Sequence, residues 1–326
     1  MSSRNAHFQV VAILAAVSIL ALSGASPPVD LRLAELHPLD HPTAKADFEF
    51  ARLVQERSGG RIRISVYTDS VLGQEMAVLD QVQFGAIDIA RVSLAAVAVY
   101  VPRLVALQMP YLYSDGEHMW RVLKGDIGRE LLASVKDAGF VGLGWFEAGA
   151  RSFYCTRPLG SPKDLDGLRI RVQENQILTD TIAAFGATPR QMAFGEVYSA
   201  LRTGLVDGAE NNMPTYYTAR HYEIIRFLTL TEHARVPEII VGSEIAFADL
   251  SPADRELIAR AAMDTIDYQR AQWREYELMA EKKVRESGVR IVAPTDLSAW
   301  RALAESVYAR QGEEIRSLVK RITAVK

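Results

Sequence analysis

Residues 251–288, SPADRELIARAAMDTIDYQRAQWREYELMAEKKVRESG, hold no helix breaker between Pro252 and Gly288. Ser251 with Asp254 has the spacing of a capping box, with Asp in place of the usual Glu. Pro252 suits the first helical position and Gly288 a C-terminal stop. At 1.5 Å per residue a single helix here is on the order of 50 Å long, more than one small domain spans. Two helices with a kink are the alternative. An unbroken helix of that length has to lie across more than one unit of the fold, as a brace or a strut.

The rest of the chain supplies those units. VDLRLAEL (29–36) and RIRISVYT (61–68) have strand patterning, with the helix pattern PTAKADFEFARLVQERSGG (42–60) between them. EMAVLDQVQFGAIDIARVS (75–93) predicts a helix, a Gly stop and a short strand, IDIA. This β–α–β alternation is that of an α/β sheet covered on both faces. VGLGWFEA (141–148) opens a second series. It continues through the strand LRIRV (168–172), the helix QILTDTIAAFGA (176–187), the helix EVYSALRTG (196–204) and LVDGAE leading to another strand. Two α/β units are therefore expected, meeting near residue 148.

At 326 residues, 49% hydrophobic and 24% charged, the chain is long enough for two ordinary domains. Its formal net charge of −3 argues against a nucleic-acid partner. Arg4 precedes an apolar run, VVAILAAVSILAL (10–22), and Ser23 and Ala25 sit at −3 and −1 of a cut before Ser26. This is the pattern of a secretory signal peptide over 1–25, too short for a comfortable membrane span. Its removal takes one Arg and no acid, leaving −3 − 1 = −4. Cys155 is the only cysteine, so no intrachain disulfide forms, which suits export to a periplasm. A small buried thiol is the expected role for it.

No GxSxG, P-loop, HExxH or GxGxxG is present, no His/Cys group has metal spacing, and no cofactor or metal is expected. The arginines are more informative. Arg169 and Arg171 share one face of LRIRV, and a covered parallel sheet is a poor place for them. Arg171 lies toward the strand's C-terminal end, where open α/β sheets bind ligands. Arg151, in GARSFYC, and Arg91, in IDIARVS, also stand at strand ends. GLVDGAENN (204–212) is either a solvated loop or a binding site at the mouth of a sheet. Three strand-end arginines beside AENN suggest a small anionic ligand, because guanidinium is a planar, permanently charged fork matched to carboxylate.

SPKDLDGLRIRV, FGATPRQMAFGEVYSALRTGLVDGAENN and RHYEIIRFLTLTEH resemble the DctP-type solute-binding proteins of tripartite ATP-independent periplasmic (TRAP) transporters. The likeness runs from AELHPLDHPT to near the end of the chain. It implies a two-lobed α/β clamp of the periplasmic-binding-protein kind with a long helix spanning both lobes. Lobe I would take 26–148, completed by about 237–250, and lobe II 149–236, completed by about 289–326. The protein would be a periplasmic carrier and no enzyme, delivering its solute to small and large membrane permease subunits. A periplasmic accessory to a sensor is the alternative class. The resemblance further implies that Arg171 binds the ligand carboxylate, with Arg151 and Asn211 as further contacts.

GARSFY, GAENN, RHYE and IDIARVS resemble the subgroup that takes sugar acids such as glucuronate and galacturonate. In that subgroup the first lobe supplies an acid and an Arg to ligand hydroxyls, here Glu75 and Arg91. Ser93 stands where the subgroup has Asn, and His41 where it has Tyr; both positions belong to the implied pocket. A C4-dicarboxylate, with Arg91 serving a second carboxylate, or another keto or hydroxy acid, is the alternative ligand.

Overall fold

The computed structural model describes residues 27–326; the signal-peptide segment 1–25 lies outside the described residues. The strands are β1 (Val29–Glu35), β2 (Ile62–Tyr67), β3 (Ile89–Ser93), β4 (Phe140–Phe146), β5 (Arg151–Cys155), β6 (Arg169–Val172), β7 (Thr188–Gln191), β8 (Gly208–Asn211), β9 (Phe227–Ala234), β10 (Glu238–Ser243) and β11 (Arg290–Val292). They form two sheets, ordered β2-β1-β3-β10-β4 and β11-β9-β5-β8-β6-β7. In the first, β1 is parallel to both β2 and β3, while β10 runs antiparallel to β3 and β4. In the second, β5 is antiparallel to β8 and β9, and β6 is parallel to β7 and β8.

The segment 251–288 is one helix without a kink, Pro252–Glu286. Ser251 Oγ accepts from Asp254 N–H at 3.2 Å, and Lys283 and Arg285 complement the helix dipole in the last turn. Only half of the expected capping box forms, because the Asp254 carboxylate turns to Ser251 Oγ–H (2.8 Å) and to Arg61 instead of the Ser251 backbone. Ile258, Ala261 and Ala262 pack in one cluster with Leu33, Phe50, Leu143 and Ile240 of the first lobe. Val284, further along, packs with Tyr154, Ala209 and Leu228 of the second. The helix is thus a brace across both lobes, held by apolar burial at each end.

Two expectations need correction. VGLGWFEA does not open the second series: β4 is the edge strand of the first sheet, paired antiparallel with β10. The chain crosses to the second sheet only after it, through 147–150, and returns through 235–237. The short strand expected at IDIA begins at Ile89 and runs on to Ser93. GAEN is strand β8 and not a solvated loop. Gly204 ends the preceding helix at φ 70°, and a Cβ on Gly208 would be driven into the Tyr154 carbonyl oxygen of β5. Cys155 is buried among apolar side chains, and burial pushes its thiol up.

Candidate functional site

Strand register brings the polar side chains together. Glu35, at the end of β1, is opposite Arg91 of β3, and Glu238, at the start of antiparallel β10, is opposite Ser93. In the second sheet Asn211 is opposite Ser152, next to Arg151, and Arg171 is beside Ala209. Glu75 opens the helix Glu75–Gln83, and its Oε1 accepts from Ser93 N–H at 2.6 Å.

The three arginines are equally buried, at 1–4% exposure, but differ in their partners. Arg91 is taken up by first-lobe acids: Nε donates to Glu35 Oε2 at 2.6 Å, Nη2 to Glu35 Oε1, and Nη1 to Glu238 Oε2 at 2.7 Å. Arg151 is taken up by Glu210, with Nη2 at 2.8 Å from Oε1, and its Nη1 donates to Asn211 Oδ1 at 3.2 Å. Burial raises the Glu210 carboxyl, but Arg151 and His233 outweigh it and bring it down to about 2. Arg171 has no such partner. Its Nε and Nη2 both donate to one backbone oxygen, Met192 O, at 3.0 and 2.6 Å, and it pairs with no carboxylate among the described residues. A desolvated guanidinium bonded only to a carbonyl is a standing demand for an anion.

Across the cleft the groups are acids and neutral imidazoles. Burial, then the Glu238 charge, pushes the Glu75 carboxyl up to about 7, against the pull of Ser93 N–H, Arg171 and Arg151. His37 and His41 stack with ring centroids 3.9 Å apart. Burial holds His37 down at about 3; burial, then His37 and Lys45, hold His41 well below its usual value. His41 caps the helix Pro42–Arg57, accepting from Thr43 N–H at 3.3 Å, and its Nε2 is buried without a partner. Ser93 caps the helix Leu94–Tyr100, its Oγ accepting from Ala95 N–H at 3.3 Å. Asn211 has its Oδ1 occupied by Arg151 and by Asn212 N–H, and borders a cavity on the long-helix side of the second sheet. Gln173 lies in the same crevice as Glu75 and Arg171, with its Oε1 buried and unpartnered. Tyr216 is a core residue whose hydroxyl donates to Ile225 O.

Sequence reasoning missed Glu35, Glu238 and Glu210, which decide what each Arg is free to do. It also missed Asp47, fully buried with neither carboxylate oxygen partnered. Burial, with Glu238 adding, holds Asp47 well above the usual carboxylate range. A signal for it existed: Asp47 stands in the buried stripe Thr43, Ala46, Asp47, Phe50, Ala51, Val54 of its helix.

The lobes touch across the cleft. Gly195 N–H donates to Gln74 Oε1 at 3.1 Å, Asn175 Nδ2 donates to Ala95 O at 2.8 Å, and Phe194 meets the His37 ring edge-on at 5.4 Å. These contacts join the two lobes. Asn175 also caps its helix through Oδ1, which accepts from Leu178 N–H. Asn175→Ser keeps a capping oxygen and removes the cross-cleft donor. Calorimetry is expected to show ligand affinity about 3- to 10-fold weaker, the worth of one neutral hydrogen bond, with the ligand-free melting temperature unchanged.

Residues 33–314 match the family model described as bacterial extracellular solute-binding protein, family 7. A solute-binding protein of Chromohalobacter salexigens is 35% identical over 288 residues, 87% of this chain and 86% of that protein. A Bradyrhizobium TRAP periplasmic solute-binding protein solved with α/β-D-galacturonate is 39% identical, with a TM-score of 0.89 over 90% of this chain and 99% of the other. One from Pseudomonas putida F1, solved with D-glucuronate, is 35% identical, with a TM-score of 0.89 over 91% and 98%.

Proposed function

This chain belongs to bacterial extracellular solute-binding protein family 7, the DctP family of TRAP transporters, and we propose that it captures a hexuronate, such as D-glucuronate or D-galacturonate, by closing its cleft. It carries the solute through the periplasm, after export by the segment 1–25, to the two membrane subunits of a TRAP permease. The observation that carries this reading is Arg171, the buried guanidinium without a carboxylate partner among the described residues. The ligand carboxylate docks there on the second lobe, next to Arg151.

The first lobe then selects what the rest of the ligand must be. Arg91, the cation at the cleft end of β3, is already shared by Glu35 and Glu238, and Glu75 and Asp47 add two more buried carboxyls. A second ligand carboxylate at that end meets Glu75 and an Arg91 whose guanidinium is already paired. Sugar hydroxyls meet acceptors in Glu75 and unfilled bonding capacity in His41 Nε2. This favours a polyol acid over a C4-dicarboxylate. The uronates bound by the structural relatives agree with it. Closure follows because the first-lobe bonds to ligand exist only when the lobes meet.

A thermal-shift series checks the choice. D-glucuronate or D-galacturonate at about 100 times Kd is expected to stabilise the folded chain by about 2.7 kcal/mol and raise its melting temperature, while succinate and malate leave it unmoved. A shift with succinate alone would contradict the hexuronate reading and keep the family.

A further inference from the structure

The crossings between the sheets, 147–150 and 235–237, lie beside one ridge of the long helix formed by Gln269, Trp273 and Glu277, one turn apart. Gln269 is fully buried and bonds the Glu147 backbone in both directions: Nε2 donates to Glu147 O at 3.0 Å, and Glu147 N–H donates to Oε1 at 2.7 Å. The Glu147 carboxylate accepts from Gly149 N–H at 2.8 Å, from Ala148 N–H at 3.2 Å and from the Trp120 indole. Gly149 has φ 62°, and a Cβ there would sit 3.1 Å from both Glu277 Oε1 and Trp273 Nε1. The helix therefore rides directly on the peptide by which the chain crosses between the sheets. Beside this contact is a cavity of about 260 Å³, bordered by Glu277, Glu281, Glu232 and Arg235.

We propose that Glu277 is a positioning residue for cleft closure, resting on the Gly149 crossing as a protonated carboxyl when the lobes are closed, so that ligand capture takes up a proton at the hinge. The proposal rests on the closing-clamp reading above. The charges facing Glu277 are Glu147 from the first crossing, Glu232 and Arg235 at the second, and Glu281 one turn along its own helix. Arg235 is shared with Glu232, its Nη2 donating at 3.0 Å, and Glu281 is paired with Arg285, so Glu147 is the facing carboxylate without a cation of its own among the described residues. Burial, then the Glu147 charge, raises the Glu277 carboxyl to about 7, with Arg235 opposing. Opening hydrates the group and returns it toward the ordinary value of about 4.3. Between those limits the closed form holds a proton that the open form lacks. Affinity therefore falls as pH rises through this window, by at most about tenfold per pH unit, and levels off above about 7. Glu75 is raised to a similar value, so the informative quantity is the difference between wild type and Glu277→Gln, which carries a permanently neutral isostere.

The test measures the lobe–lobe distance by pulsed electron resonance. Spin labels are attached at Arg129→Cys and Arg202→Cys, both exposed positions on opposite lobes, with Cys155 buried. Wild type and Glu277→Gln are compared from about pH 5.5 to about pH 8.5, with and without D-glucuronate, a range that brackets the raised value. Wild type is expected to lose closed population as pH rises, Glu277→Gln to retain it, and the variant to bind more tightly than wild type by about tenfold or more at about pH 8. Identical pH profiles in the two chains would overturn the proposal. If the ligand-free profiles differ but D-glucuronate closes neither chain, the hinge inference stands and the hexuronate reading falls. If D-glucuronate closes both with one shared profile, the reverse holds.

Discussion

Arg171→Met is expected to weaken sugar-acid binding by about 2–5 kcal/mol, roughly 30-fold to several-thousand-fold in Kd, because the bound carboxylate is left desolvated and unpaired. The same change is expected to leave the ligand-free protein no less stable. In wild type Arg171 is buried at 2% exposure and, among the described residues, hydrogen-bonded only to the Met192 carbonyl. Met fills similar volume without a charge to desolvate, which offsets the lost bonds to Met192. A calorimetric titration and a melting curve on the same sample read both signs. A protein that melts several degrees lower and binds as before would mean that Arg171 is structural.

Arg91→Met is expected to do the opposite. It strands Glu35 and Glu238, and removing one partner of a buried ion pair costs on the order of 3–5 kcal/mol of folding stability. Denaturant unfolding checks this. Unchanged stability together with lost hexuronate binding would instead place Arg91 on the ligand, the role implied by the family resemblance.

The contrast between these arginines marks where legibility in the sequence ended. Arg91, Arg151 and Arg171 were recognisable as strand-end cations because period-2 alternation fixes which face a strand residue takes. Their occupancy was not. The acids that take up Arg91 lie 56 and 147 residues away in the chain, and no local pattern links them. β4 was misplaced for the same reason. Its partner β10 begins nearly a hundred residues later, so its own alternation carried no information about which sheet it joins. The long helix was legible end to end, since Ser251, Pro252 and the Gly288 stop are local signals. Gly208 illustrates an intermediate case. GLVDGAENN announced a special backbone, but only the pairing of β8 with β5 explains why no side chain fits there.

A crystal structure of the closed complex with D-glucuronate locates the ligand carboxylate. The account predicts both carboxylate oxygens within about 3 Å of the Arg171 guanidinium, the charge-assisted distance, with the hydroxyls toward Glu75 and His41 and the Arg91–Glu35–Glu238 set intact. A carboxylate seated on Arg91, with that set broken and Arg171 still bonded only to Met192, would contradict it.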